Sequence, residues 1–270
     1  MFGTELKRWR LAKRLSQEGL GEIADVSPRH VSCLERGVAW PSEQMVLRLA
    51  RALDLPLRER NSLLGCAGYV QRWSDAGDQI PEKLVPVVDR MLSGQRAPAY
   101  VLNGVYTVLR ANDLGWQLLG LMDPLAKEGM NVAEGFFSDG PHRELIENYR
   151  AVAQSFLARI RSEASNQGSA SILWPIVERA EKDPAIHDGN EPVLLVGEPV
   201  IPVTINGFGT RTSWMTVLMT FGSPQDAMVE QLTVEQFLPA DDHTAAFVEA
   251  LYLSSPATTS TRDDRKVTVP

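Results

Sequence analysis

The chain has 270 residues, 44% of them hydrophobic and 23% charged. That length exceeds one typical domain and fits two, and the composition excludes wholesale disorder. No apolar run reaches the roughly 18 residues of a membrane span. The opening Met1-Phe2-Gly3-Thr4-Glu5-Leu6-Lys7-Arg8 has no apolar signal core, so the expected location is the cytoplasm, with no membrane partner. The net charge of -7 argues against a nucleic-acid partner for the chain as a whole. Its distribution argues otherwise. Residues 1–68 hold eleven Lys/Arg against eight Asp/Glu, and the remainder sixteen against twenty-six. A mildly basic head on an acidic body is the asymmetry of a chain whose head alone meets phosphate. Cys33 and Cys66 supply neither a disulfide framework nor a metal quartet.

In chain order, the first 68 residues read as five short helices. The first runs from Gly3 to about Arg14. Ser16 caps a second, marked by Leu20, Ile23 and Ala24. Ser27-Pro28 restarts the chain as N-cap and first helical residue, and the third helix runs to Arg36 and stops at Gly37. Ser42 caps a fourth, with Val46, Leu49, Ala50 and Leu53 on one face. The fifth spans Leu57 to Ala67. Residues 69–96 read as a linker and a connecting helix from Pro81 to about Leu92. Ala99–Leu102 and Val105–Arg110 read as two strands around a two-residue Asn103-Gly104 turn. One long helix is expected from Pro141 to about Ala164, then a loop over 165–171. Strands are expected over Pro192–Ile205, Arg211–Phe221 and Met228–Phe237, with Met215, Val217, Met219 and Phe221 on one face of the middle strand. A short helix follows Asp241-Asp242. The body thus covers 97–253, and the Ser/Thr/Asp/Arg-rich tail at 254–270 is expected to be disordered.

Two short helices joined by a tight break make a helix-turn-helix. On the third helix Arg29, Ser32, Cys33 and Arg36 share one polar face, while Val31 and Leu34 point inward. A polar helix face of this size suits a major groove; it equally suits solvent in a generic bundle. The residues decide. Leu15-Ser16-Gln17-Glu18, Ile23-Ala24-Asp25-Val26-Ser27-Pro28-Arg29-His30-Val31-Ser32, Leu34-Glu35-Arg36-Gly37 and the trailing Leu47–Leu53 resemble the Xre-type, phage-repressor-like helix-turn-helix family over residues 3–68. The resemblance implies a five-helix DNA-binding bundle. It implies DNA contacts at Gln17, Ser27, Pro28, Arg29, His30, Ser32 and Cys33, and a phosphate contact at Arg36. It also implies a salt bridge between Arg10 and Glu35. Arg29 is the expected base reader, because a guanidinium donates twice to guanine. Lys7, Arg8, Lys13, Arg14 and Arg48 are candidate phosphate neighbours. Gly19 and Gly21 stand where that family usually has Glu and Ala. Gly21 fits a close helix crossing, whereas Gly19 costs its helix about 1 kcal/mol relative to alanine.

The body's order of two strands, several helices and a three-strand meander is that of a PAS-like sensor. Ala97–Gly104, Ala111-Asn112, Phe221–Asp226 and Phe237–Asp241 resemble the MmyB-like ligand-binding domain, over about 81–250 with a divergent middle. The expected fold is therefore a helical bundle followed by an α+β domain with a five-stranded antiparallel sheet. The resemblance implies a small-molecule pocket, with a fatty acid as the ligand type. Tyr100, Trp116, Phe136, Phe156, Trp214, Met215 and Met219 are its apolar lining candidates, any of which also suits plain core. Asn112 and Arg143 are the polar ones. Arg143 presents a fork for a ligand carboxylate, or for Asp139, Glu144 or Glu147 of the chain itself.

No catalytic signature such as G-x-S-x-G, H-E-x-x-H or C-x-x-C is present, and the four histidines lack metal-ligand spacing. The resulting expectation is a non-enzymatic homodimeric regulator on a palindromic double-stranded operator, tuned by a small-molecule effector. The alternatives are a body that serves only dimerisation or a protein partner, an enzyme fused to a DNA-binding head, and an antitoxin-type head.

Overall fold

A computed structural model describes residues 1–75, 77–168, 171–187 and 200–254. The head consists of α1 (Phe2–Ala12), α2 (Gln17–Ala24), α3 (Pro28–Glu35), α4 (Glu43–Ala52) and α5 (Leu57–Cys66). Three serines start three of these helices. The side chains of Ser16, Ser27 and Ser42 accept the backbone N–H of Gly19, His30 and Met45. Each thereby satisfies a donor that the helix cannot. The break between α2 and α3 is tight because Asp25 adopts a left-handed conformation, with φ 53, and the Val26 N–H bonds back to the Gly21 carbonyl at 2.8 Å. A Cβ on Gly21 would lie 2.5 Å from the Val26 carbonyl oxygen, so the crossing requires glycine there. Phe2, Leu6, Trp9, Leu20, Val31, Leu34, Leu49 and Leu64 fill the core between the helices. Burial of each contributes roughly 1.5–3 kcal/mol.

The body contains α6 (Val85–Ser93), β1 (Ala99–Leu102), β2 (Val108–Ala111), α7 (Asp113–Gly120), α8 (Val132–Phe136), α9 (His142–Leu145), α10 (Tyr149–Gln167), α11 (Trp174–Glu181), β3 (Val203–Gly207), β4 (Thr210–Thr220), α12 (Ala227–Gln231), β5 (Thr233–Pro239) and α13 (Asp242–Ser254). The five strands form one antiparallel sheet in the order β2-β1-β5-β4-β3. Residues 97–102 and the C-terminal meander are therefore brought side by side at the centre. Helices α7 to α11 build the larger core on one face. On the other face α6 packs Val88 and Leu92 against Ala99, Val101 and Val234. The segment expected to connect head and body is thus half of a second, smaller core.

Several sequence expectations are corrected. The β1–β2 connection is not a two-residue Asn-Gly turn. Tyr106 carries the positive φ, at 68, and the Asn103 side chain accepts the N–H groups of both Val105 and Thr107. The helix expected over 141–164 is broken at Ile146, which leaves the helical path to bridge Ile205 on the edge strand, while the Glu147 N–H bonds to the Thr204 carbonyl at 2.9 Å. It resumes as α10 and runs on to Gln167, into the expected loop. The segment beginning at Met228 is first helical, because the Asp226 carboxylate caps α12 by accepting from Met228 and Val229. Only from Thr233 does it extend. Helix α6 starts at Val85 rather than Pro81, and β3 starts at Val203. The earlier part of that expected strand, 192–199, lies outside the described residues, as does the tail beyond Ser254.

Candidate functional site

The first surface is α3. Ser27, Pro28, Arg29 and Arg36 are exposed, and His30, Ser32 and Cys33 are half-buried along the same side. Among the described residues Arg29 has no side-chain partner, so its guanidinium is free to donate. Arg36 folds back on its own helix, donating from Nε to the Ser32 carbonyl at 3.3 Å and approaching the Cys33 sulfur. Gln17 sits at the start of α2, and its amide nitrogen donates to Glu35 Oε2 at 2.7 Å. Glu35 also receives Arg10. Burial opposes ionisation of Glu35, yet the hydrogen bonds from Arg10 and Gln17 outweigh it and hold the carboxyl below its usual range. This network fixes α1, α2 and α3 relative to one another.

Of the expected phosphate neighbours, Arg8 and Lys13 face elsewhere. Arg8 pairs with Glu5 and stacks over Trp9, beside Gly168 of the body. Lys13 donates to Asn166. Arg48 holds the carbonyl of Asp25, at the turn itself, at 3.4 Å. Lys7 and Arg14 are exposed.

The second feature is a cavity of about 260 Å³ beneath the sheet. Leu118, Leu121 and Met122 of α7 and the segment after it, Val152 and Phe156 of α10, and Leu218 and Phe237 of the sheet supply much of its apolar wall. Tyr100, Phe136 and Phe156, three of the expected lining residues, reach it. The other six do not. Trp214 is fully buried and fills core, donating its indole N–H to Thr212. Trp116 packs on that core from outside. Met215 and Met219 lie on the opposite side of β4, since it is Thr216 and Leu218 that line the cavity and strand residues alternate faces. Asn112 caps α7 and ties the start of β1, accepting from Gly115 and Ala99 and donating to Ala97. Arg143 is held by Asp183 at 2.6 Å and Asp139 at 3.2 Å and donates to the carbonyls of Phe137 and Ser138. Asp139 was among its expected partners; Asp183, forty residues away, was not. The guanidinium has no fork left for a ligand.

Two residues missed from the sequence give the cavity its charge: Arg159 on α10 and Glu235 on β5. They pair at 3.4 Å. Arg159 lies over the Phe156 ring, 4.7 Å from its centroid. Glu235 stands between Tyr100 and Leu218 in the strand register. A charged residue within the apolar stripe of α10 and another in a buried strand were the only signals. His142 also lines the cavity and is buried, with Nε2 donating to the Phe136 carbonyl. Burial pushes the imidazole pKa down, so it stays neutral.

Arg159, Leu218 and Glu235 also line a second cleft of about 340 Å³. This one lies between the head, at Asp54, Leu55, Pro56 and Arg60, and the body, at Tyr106, Glu163, Asn166 and Gln231. Near it Glu230 accepts the N–H of Leu57, the first residue of α5, at 2.5 Å. Among the described residues no cluster of three His, Cys, Asp or Glu side chains is placed to hold a metal ion, and no helix is long and apolar enough to cross a membrane.

A helix-turn-helix head joined to a body with an apolar cavity defines a DNA-binding transcription regulator with a ligand-binding domain. Comparison with known families agrees. The profile described as a helix-turn-helix domain matches residues 1–63, and that described as the MmyB-like transcription regulator ligand binding domain matches residues 84–251. The chain belongs to the MmyB-like transcription regulators. No curated protein matches it. One solved structure, titled "Structure of an RNA-binding Light-Oxygen-Voltage Receptor", aligns at 12% identity over 94% of this chain and 63% of that one, with a TM-score of 0.27. A likeness at that level carries no argument.

Proposed function

We propose that the protein is a homodimeric, non-enzymatic regulator in the cytoplasm whose affinity for a palindromic operator changes when a small apolar effector, with a chain of fatty-acid type, occupies the body cavity. Two copies would set two α3 helices in successive major grooves, about 34 Å apart, with Arg29 reading a base. An effector shifts DNA affinity only if it binds one arrangement of the heads more tightly than another. The observation that carries this reading is the shared wall. Arg159, Leu218 and Glu235 face both the cavity and the cleft against the head, so side chains that yield to an effector also bear on the head–body seam.

Selection of bound duplexes from a random pool tests the DNA half of this reading. Enrichment of an inverted repeat supports it, and recovery of no preferred sequence contradicts it. The reading in which the body serves dimerisation alone predicts a fully packed core beneath the sheet. The cavity speaks for the effector instead.

A further inference from the structure

The effector cavity has one charged end, and its composition restricts what can be seated there. Arg159 and Glu235 are the formally charged residues among its described lining. Their contact leaves capacity unspent: Arg159 Nε, a donor, and Glu235 Oε2, an acceptor, are buried without a hydrogen-bond partner. Glu163, one turn beyond Arg159 on α10, adds a second carboxyl at the adjoining cleft. Both carboxyl groups lie within electrostatic reach of one guanidinium, and Glu235 alone is paired with it. Burial pushes both above the ordinary carboxylate range, and attraction to Arg159 only partly offsets it. The Tyr100 hydroxyl, beside Glu235 in the sheet, is a further donor toward that carboxyl, and Tyr106 lies under the Arg159 guanidinium.

A ligand carboxylate brought to this end would be a third acid on a single cation. It would meet Glu235 in a low-dielectric setting where like charges repel strongly, and it could be seated only with Glu235 taking up a proton. It would also offer acceptors only and could donate nothing to the Glu235 carboxylate. A hydroxyl or primary amide answers both needs, accepting from the guanidinium and donating to the carboxylate. We infer that the cavity selects an apolar effector with a neutral head group that both donates and accepts hydrogen bonds, an alcohol or primary amide rather than a carboxylate, and that Glu235 is the residue that enforces the choice. This inference rests on the reading of the cavity as the effector site.

The test is displacement of the neutral fluorescent probe N-phenyl-1-naphthylamine from the full-length protein by decan-1-ol and by decanoate at about pH 7.5, where the fatty acid is ionised. In the wild type, decan-1-ol should displace the probe at a concentration at least about tenfold lower than decanoate. Glu235→Gln, which removes the charge and keeps the shape, should improve decanoate by about tenfold while moving decan-1-ol by less than about threefold. Glu163→Gln, at the more open cleft, should move the ratio in the same direction by a smaller factor and stands in should the first variant fail to fold. Decanoate equal to or better than decan-1-ol in the wild type overturns the inference, as does an unchanged ratio in Glu235→Gln. Failure of the probe to bind the wild type at all would instead overturn the effector-cavity reading, and this inference with it.

Discussion

Arg10 and Glu35 form a two-point ion pair in the interior of the head, with Nε to Oε1 at 2.6 Å and Nη2 to Oε2 at 3.1 Å. The Glu35 side chain is 3% exposed and that of Arg10 8%. Removing one partner of a buried pair strands the other charge, which costs about 3 kcal/mol or more. Arg10→Met is therefore expected to lower the stability of the head by about that amount, read from a urea melt. The pH dependence follows from the depressed Glu35 carboxyl, held down by Arg10 and Gln17 against the opposing effect of burial. A group whose folded pKa lies below its unfolded value contributes stability above the unfolded pKa and loses it as pH falls through the folded one. The wild type should thus lose stability on the acid side of the ordinary glutamate range, and Arg10→Met should lack that component.

Gly19 and Gly21 lie two residues apart on α2 and predict opposite outcomes. A Cβ on Gly19 meets only the Ser16 hydroxyl oxygen at 3.4 Å and a leucine methyl. Gly19→Ala is expected to raise stability by up to about 1 kcal/mol through helix propensity. A Cβ on Gly21 would collide with the Val26 backbone, so Gly21→Ala should destabilise the head. Thermal melts of the two single variants, shifted in opposite directions, check the reading of the α2–α3 crossing.

Arg29 is exposed at the first turn of α3 and, among the described residues, has no side-chain partner. Arg29→Ala should weaken binding to the selected operator by about 1–3 kcal/mol and leave the melting temperature nearly unchanged. Fluorescence anisotropy with a labelled duplex measures the first and a thermal melt the second. Equal operator affinity of variant and wild type would remove Arg29 from the recognition surface.

Arg143 ties Asp183, in the turn after α11, to the segment before α9. Arg143→Ala should lower the stability of the body by about 1–3 kcal/mol, because it removes the charged donor to Oδ2 of the largely buried Asp183 and the donor to two carbonyls. It should leave N-phenyl-1-naphthylamine binding unchanged, apart from any unfolded fraction. A ligand-contacting arginine would give the reverse result, with lost affinity and intact stability.

Much of the head was legible because its signals are local. Ser16, Ser27 and Ser42 each cap a helix through a bond to the residue three positions on, and Pro28 and Gly37 punctuate α3 within the same short window. The Arg10–Glu35 pair spans twenty-five residues and followed from family resemblance, not from spacing. The body was legible in its strands and its helix-on-sheet plan, but less so where distant segments decide. Ile146 leaves its helix because β3 offers it a bridge at Ile205, which no local pattern announces. Asp226 turns Met228 and Val229 into a helix against their strand-like composition. Tyr106, a bulky aromatic, occupies the left-handed position for which Gly104 was the natural choice, because Asn103 gathers two backbone donors around it. The candidate cavity residues separated along the same line. Aromatic size located Tyr100, Phe136 and Phe156. Alternation along β4 told the two faces apart but not which one looks into the cavity, and that misplaced Met215 and Met219. Arg159 and Glu235, seventy-six residues apart, become a pair only when α10 is laid across β5.

The most direct test of the central claim is a pair of operator titrations by fluorescence anisotropy, without effector and with decan-1-ol at a concentration that fully displaces N-phenyl-1-naphthylamine. Coupling between cavity and head predicts operator Kd values that differ by at least about fivefold. Identical Kd values under the two conditions, with the cavity demonstrably filled, would contradict it.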